Sequence, residues 1–279
     1  MATAYVRGVN LHYETFGHDG PPLVVAHGLM GSIALSALFA DPIESIATRG
    51  VRVVAYDARG HGKSGYTSDA RDYTWYALAE DMYAFIRALG PERASVCGGS
   101  MGAGTAMVLA LEHPDVVDKL ILRAPPPFGD DMKKVQPGFA ALAIMFRVLG
   151  PSLTARLLGS MPQFRGDEGG IDAHTFFGSQ RRASIVPAIN GVVFGDPLPW
   201  HRLDRITHPT LIMTHPDDPL HPLASGELLH DRLAHARLAV APSSSYWREN
   251  SDALAHVIAA FVKGEEVAQG LPQKLVHAH

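Results

Sequence analysis

A chain of 279 residues, 47% hydrophobic and 19% charged, carries enough apolar side chains for a sizeable core, which excludes a disordered protein. A formal charge of -4 leaves no basic footprint for nucleic acid, and the single cysteine, Cys97, excludes an internal disulfide. No apolar run is long enough to cross a bilayer and Met1 to Arg7 lacks the apolar core of a secretory signal, so a soluble cytoplasmic protein with no nucleic-acid or membrane partner is expected.

Val9 to Phe16 alternates like a half-buried strand at one edge of a mixed sheet. After a turn at Gly17 to Pro22, Leu23-Val24-Val25-Ala26 predicts a short buried strand that runs into His27-Gly28-Leu29-Met30-Gly31. Ile33 to Thr48 predicts a helix interrupted near Asp41-Pro42. Val51 to Tyr56 is the next buried strand, leading into Asp57-Ala58-Arg59-Gly60-His61-Gly62-Lys63-Ser64. Thr74 to Leu89 is amphipathic and helical, with Gly90-Pro91 as its stop. An apolar run, Ala94 to Cys97, then enters Gly98-Gly99-Ser100-Met101-Gly102, and a helical run, Thr105 to Glu112, leaves it; Lys119 to Ala124 is a further strand. Strands alternating with helices predict a mostly parallel, doubly wound α/β sheet.

The rhythm changes from Pro125 to about Leu203, where no strand alternation appears. Helical runs at Phe139 to Leu149, Leu153 to Leu158 and Ala173 to Val193, with a Gly-rich turn at Gly166 to Gly170, predict an inserted helical lid. Strand Thr210 to Thr214, helix Leu223 to Leu233, strand Arg237 to Ala241 and helix Ser251 to Phe261 resume the pattern. The expected division is a core over residues 1–127, a lid over 128–205, the rest of the core over 206–263, and a polar, partly mobile tail over 264–279. Phe139, Ile144, Met145, Phe146, Leu149 and Met161 are candidates to face a pocket, although most apolar lid residues serve only to hold a lid on its core. Phe139, Met145, Phe146 and Met161 are carried forward as substrate contacts.

Gly98 to Gly102 fits G-x-S-x-G, the pattern of a nucleophile elbow. A serine held in a tight strand-to-helix turn leaves no room for side chains two positions before and after it. The turn also places the hydroxyl at a helix N-terminus, whose free N–H groups stabilise developing negative charge.

Four segments in this order resemble the α/β-hydrolase family from about Val9 to Phe261: His27 to Gly31, Asp57 to Ser64, Gly98 to Gly102, and Pro209-Thr210-Leu211-Ile212 with the loop after it. The resemblance implies an α/β-hydrolase fold, Ser100 as nucleophile, and the backbone N–H groups of Leu29 and Met101 as the oxyanion hole. It places the acid within His215-Pro216-Asp217-Asp218-Pro219-Leu220-His221-Pro222, on Asp218, with Asp217 as competitor and His215 where glycine is common. It also makes His27 and His61 loop-ordering groups and Arg59 an anchor.

The family's histidine belongs between the last strand and the final helix, and no residue from Arg237 to Ala255 is histidine. Counted forward from Pro242, its slot falls on Tyr246; counted back from Phe261, it slides to Ser244. His235 and His256 are the nearest histidines in sequence, and neither is expected to reach Ser100. A phenol with a pKa near ~10 is a poor base at neutral pH, and a phenolate beside Asp218 is harder still to form. Three explanations stay open: a working hydrolase with Tyr246 substituted for its histidine, a divergent enzyme whose base is His215, His221 or Tyr246 itself, and a non-hydrolytic ligand-binding module. On the first, Tyr246→His is expected to speed ester hydrolysis.

The chemistry implied is acyl transfer from an ester, lactone or related carbonyl compound to water, on a small or medium hydrophobic substrate; C–C bond hydrolysis of the meta-cleavage type uses the same framework. Serine at the elbow argues against the dehalogenases and epoxide hydrolases that place aspartate there. No metal-ligand spacing and no G-x-G-x-x-G appear, so no metal and no nucleotide cofactor is expected. Oligomeric state is not legible.

Overall fold

The computed structural model describes residues 2–39, 41–161, 172–216, 218–243, 245–266 and 275–276. Strands β1 (Ala2–Val6) and β2 (Val9–Phe16) form an antiparallel hairpin, turned at Arg7 and Gly8, both at positive φ as a two-residue hairpin turn requires. Strand β3 (Pro22–Ala26) follows, then a 3-10 turn over Ile33–Phe39, helix α1 (Ile43–Ala47) and strand β4 (Arg52–Tyr56). Helix α2 (Trp75–Leu89) begins at Thr74, whose side chain accepts from the Ala77 N–H, and ends at Gly90 in the left-handed region. Strand β5 (Ala94–Gly99), helix α3 (Met101–Glu112) and strand β6 (Val117–Arg123) complete the first half.

Helices α4 (Gly129–Val148), α5 (Gly150–Leu158), α6 (Ala173–Gly178) and α7 (Arg182–Phe194) lie between β6 and the next strand, β7 (Thr210–Thr214). Helix α8 (Leu223–Arg232), strand β8 (Ala236–Val240), helices α9 (Tyr246–Glu249) and α10 (Ser251–Lys263), and a two-residue strand β9 (Leu275–Val276) close the chain.

The sheet order is β1-β2-β4-β3-β5-β6-β7-β8-β9. Pairing is parallel from β4 through β8 and antiparallel at both edges. Alternate residues of the buried strands face opposite layers. Val24, Ala26 and Val96 pack with α2, α3 and the inserted helices α4 to α7, whereas Leu23, Val25 and Cys97 pack with α1 and α10. Chain order reverses across β4-β3-β5, so β5 leaves the sheet where an open α/β fold exposes a crevice.

Several elements differ from the sequence expectation. Strand β1 goes unread in the sequence because only Val6 of its five residues is buried, so it carries no apolar signal. The segment Ile33 to Thr48 breaks near Asp41-Pro42 as expected, but its first half is a 3-10 turn and not an α-helix. Helix α4 starts ten residues before Phe139 and runs through Pro137, with Asp130 and Asp131 in its first turn favouring the helix N-terminus. The run from Ala173 to Val193 divides into α6, capped by Asp172, and α7. The turn at 166–170 and most of the tail lie outside the described residues. Among the described residues no helix is long and apolar enough to cross a membrane.

Candidate active site

Ser100 sits between β5 and α3 with φ 50 and ψ -110, a conformation rare for a residue with a side chain. Its N–H donates to the Arg123 carbonyl at 3.0 Å, and its own carbonyl accepts from the Gly104 N–H at 3.0 Å. The flanking glycines allow close backbone approach. A Cβ on Gly98 would lie 2.3 Å from the Gly102 carbonyl oxygen, and one on Gly102 would lie 2.3 Å from the Ala26 carbonyl oxygen. Met101 is the first residue of α3, so its N–H has no carbonyl four residues back to bond within the helix.

The loop after β3 is folded around His27. A turn closes from the Gly31 N–H to the Gly28 carbonyl at 2.9 Å, with Met30 at φ 65. The His27 Nδ1–H donates to the Gly28 carbonyl at 2.8 Å, and its Nε2 accepts from the Ala58 N–H at 3.0 Å. Both ring nitrogens are thus engaged in loop contacts, and burial lowers the ring's pKa. His27 is a loop-ordering group. The Asp57 carboxylate accepts from the Ile33 and Lys63 N–H groups, each at 2.8 Å. Arg59 forms a two-pronged, buried pair with Asp81 at 2.7 and 2.8 Å. The His61 Nδ1–H donates to the Arg59 carbonyl, and burial pushes this imidazole down to about 3. These contacts hold Leu29 at the rim of a cavity that Ser100, Met101 and His221 also line. Among the described residues neither the Leu29 nor the Met101 N–H has an acceptor.

Past β7 the chain carries prolines at 216, 219 and 222 and bends over residues 218–222. The Asp218 carboxylate organises that bend. Its Oδ1 accepts from the Leu220 N–H at 2.8 Å and the His221 N–H at 3.0 Å, while Oδ2 accepts from His221 Nδ1 at 2.8 Å. The opposite nitrogen, Nε2, lies 2.8 Å from Ser100 Oγ. With the Nδ1 proton directed at a carboxylate, Nε2 carries the lone pair and accepts a hydrogen bond from the serine hydroxyl. Burial pushes the Asp218 pKa up, but the His221 hydrogen bond and charge, with the two backbone N–H bonds, outweigh it and hold the carboxyl below its ordinary range. His215 stands on the other side, its Nε2 3.7 Å from Asp218 Oδ2 and its Nδ1–H bonded to the Pro216 carbonyl at 2.8 Å.

The imidazole in contact with Ser100 therefore comes from the loop after β7. Tyr246, placed in the histidine slot by the sequence, opens α9 and stacks edge-on to Trp247 with ring centroids 5.2 Å apart. It packs against the core layer of α1 and α10, away from the layer that holds Leu29, Trp75 and Met101. The sequence names His221 among three bases without choosing it. The missed signal is the Asp-Pro-Leu-His spacing, in which one tight bend brings acid and base together. Asp217 and Ser244 lie outside the described residues.

The cavity beside Ser100 is small, about 40 Å³, and its other walls include Trp75, Pro126, Pro127, Phe139, Val192 and Leu220. Among the described residues that line it there is no Asp, Glu, Lys or Arg. Phe139 is the one expected lid contact that reaches it. Phe146 is fully buried and Met145 half-buried in the core, because their side of α4 faces α7 and the core; Ile144, Leu149 and Met161 are exposed. Three hydrogen bonds hook the start of α7 and the turn before it to the loops beneath: Gln180 Nε2 to the Met30 carbonyl at 2.8 Å, Arg181 Nη2 to the Ser64 carbonyl at 2.6 Å, and Ser184 Oγ to the Gly60 carbonyl at 2.6 Å.

Sheet order, elbow and inserted helices define an α/β-hydrolase, and a profile of the α/β-hydrolase fold matches residues 21–147. The chain has that fold. It is 29% identical to a Caulobacter sp. (strain K31) protein named carbamate hydrolase RutD, over 83% of this chain and 87% of the relative. The enol-lactonase of Burkholderia xenovorans LB400 superposes with a TM-score of 0.79 at 23% identity, over 94% of this chain and 99% of that one. A hydrolase from Pseudomonas aeruginosa PA01 superposes at 0.76 and 25% identity, over 91% and 95%.

Proposed function

We propose that this α/β-hydrolase cleaves an uncharged, apolar carboxylic ester or lactone through a Ser100–His221–Asp218 triad. The observation that carries the reading is the unbroken chain of 2.8 Å contacts from Ser100 Oγ through His221 to Asp218. As Oγ attacks the carbonyl carbon, its proton passes to His221 Nε2 and the imidazolium is held by Asp218. The tetrahedral oxygen takes its negative charge beside the Leu29 and Met101 N–H groups, which need no reorganisation to receive it. Collapse expels the alcohol, protonated from Nε2. Water then loses a proton to Nε2, attacks the acyl group on Ser100 and releases the acid.

The cavity lining supports the substrate class. A carboxylate-bearing substrate would lose its hydration without gaining a cation, which is costly in an apolar enclosure. Relatives named for lactone and carbamate hydrolysis place the same carbonyl chemistry on this fold. The deciding experiment is labelling by a fluorophosphonate together with turnover of short neutral p-nitrophenyl esters. Wild-type protein is expected to be labelled at Ser100 and to turn over; Ser100→Ala and His221→Ala are expected to do neither. Turnover that survives Ser100→Ala overturns the mechanism, and an inert wild-type chain that still binds ligand favours the binding-module reading.

A further inference from the structure

Six of the large hydrophobic side chains exposed among the described residues fall in one stretch: Ile144, Val148, Leu149, Leu153, Leu157 and Met161, each between 38% and 67% accessible. Helix α4 turns its opposite side, Phe139, Leu142 and Phe146, to the core, and α5 packs inward on α6, so these aliphatics point outward from the lid. Both helices use the same spacing. Ile144, Arg147 and Val148 on α4 match Leu153, Arg156 and Leu157 on α5 as apolar, cationic and apolar at i, i+3 and i+4, which puts each trio on one face. Residues 132–166 contain no Asp or Glu. Neither Arg147 nor Arg156 has a carboxylate partner among the described residues, and Arg182 adds a third guanidinium by donating to the Arg147 carbonyl.

We propose that this outer face of the lid docks on an anionic lipid surface. The chemistry decides between occupants. A second copy docked through the same patch would set Arg147 and Arg156 against their own equivalents, like charge on like charge. An acidic headgroup layer pairs with those cations while the aliphatics enter the acyl boundary, the pattern of a helix lying in an interface. The sequence expectation of no membrane partner rested on the lack of a spanning run, which does not bear on such peripheral contact.

The test is co-sedimentation of the full chain with vesicles of phosphatidylcholine alone and of phosphatidylcholine with one-third phosphatidylglycerol. Binding to the anionic vesicles is expected, with loss on neutral vesicles and on raising salt. Arg147→Gln/Arg156→Gln is expected to bind about 30-fold more weakly, from ~1 kcal/mol for each surface cation. Leu153→Glu/Leu157→Glu is expected to abolish binding with an unchanged melting temperature, since both positions are exposed. No binding to anionic vesicles overturns the proposal, as does binding that both variants leave intact. A concentration-dependent dimer that Leu153→Glu/Leu157→Glu dissolves, without vesicle binding, assigns the face to self-association instead.

Discussion

Asp218 has two structural tasks at once. One carboxylate oxygen folds the bend by accepting from two backbone N–H groups, and the other fixes the His221 tautomer. Asp218→Asn keeps the shape but offers an N–H where an acceptor is needed, so kcat is expected to fall about 10^4-fold with the serine still in place. Removing the imidazole by His221→Ala should cost more, roughly 10^6 in kcat by the precedent of serine proteases. Tyr246→His is expected to leave turnover within about twofold of wild type, because the proposed base is already seated on Ser100 and Tyr246 packs in the other layer. Stopped-flow hydrolysis of a neutral ester measures all three. Ser100 was legible because its signal is local: five consecutive residues whose glycines answer to backbone clearance. His221 was not, because its contact with Ser100 spans 121 residues and the resemblance directs attention to a different loop.

At the scale of elements, the buried strands and the helices that pack on them were readable, since apolar runs and stop signals coincide with their ends. The 3-10 form of the segment from Ile33, the split of the third lid segment and the passage of α4 through Pro137 were not, because tertiary packing sets them. The elbow gives a sharp test. Gly102→Ala puts a methyl 2.3 Å from a β3 carbonyl, and neither backbone can retreat without breaking sheet or helix. The expected loss is at least about 3 kcal/mol in urea unfolding, with fluorophosphonate labelling abolished even in the fraction that folds. The lid hooks predict a milder effect. Gln180→Ala removes the bond to the Met30 carbonyl and should raise KM for long-chain esters more than it lowers kcat, as the loop that carries Leu29 gains freedom.

For the whole molecule, two buried histidines tie stability to pH. The pKa values of His27 and His61 are both depressed in the folded state, His61 to about 3, whereas the unfolded chain takes up protons near 6.5. Stability from these groups is therefore complete above about pH 6.5 and is lost as pH falls toward the folded value. For His61 the slope reaches about 1.4 kcal/mol per pH unit between those limits. Urea midpoints should decline from pH 7 to pH 5, before ordinary carboxylates titrate, and a flat profile over that range would contradict the assignment. The cavity carries a second consequence at this scale. A space of about 40 Å³ is too small for an ester substrate, so entry is expected to shift the helices over Ser100, and turnover should slow as solvent viscosity rises.

The proposed acid and base, Asp218 and His221, lie three residues apart on a bend stiffened by prolines, with no second strand end to align. Such a pair is portable. Grafted as the octapeptide His215 to Pro222 into a related hydrolase stripped of its own histidine, it should restore turnover there, and the vacated connection after β8 becomes a natural place to insert a reporter without silencing the enzyme.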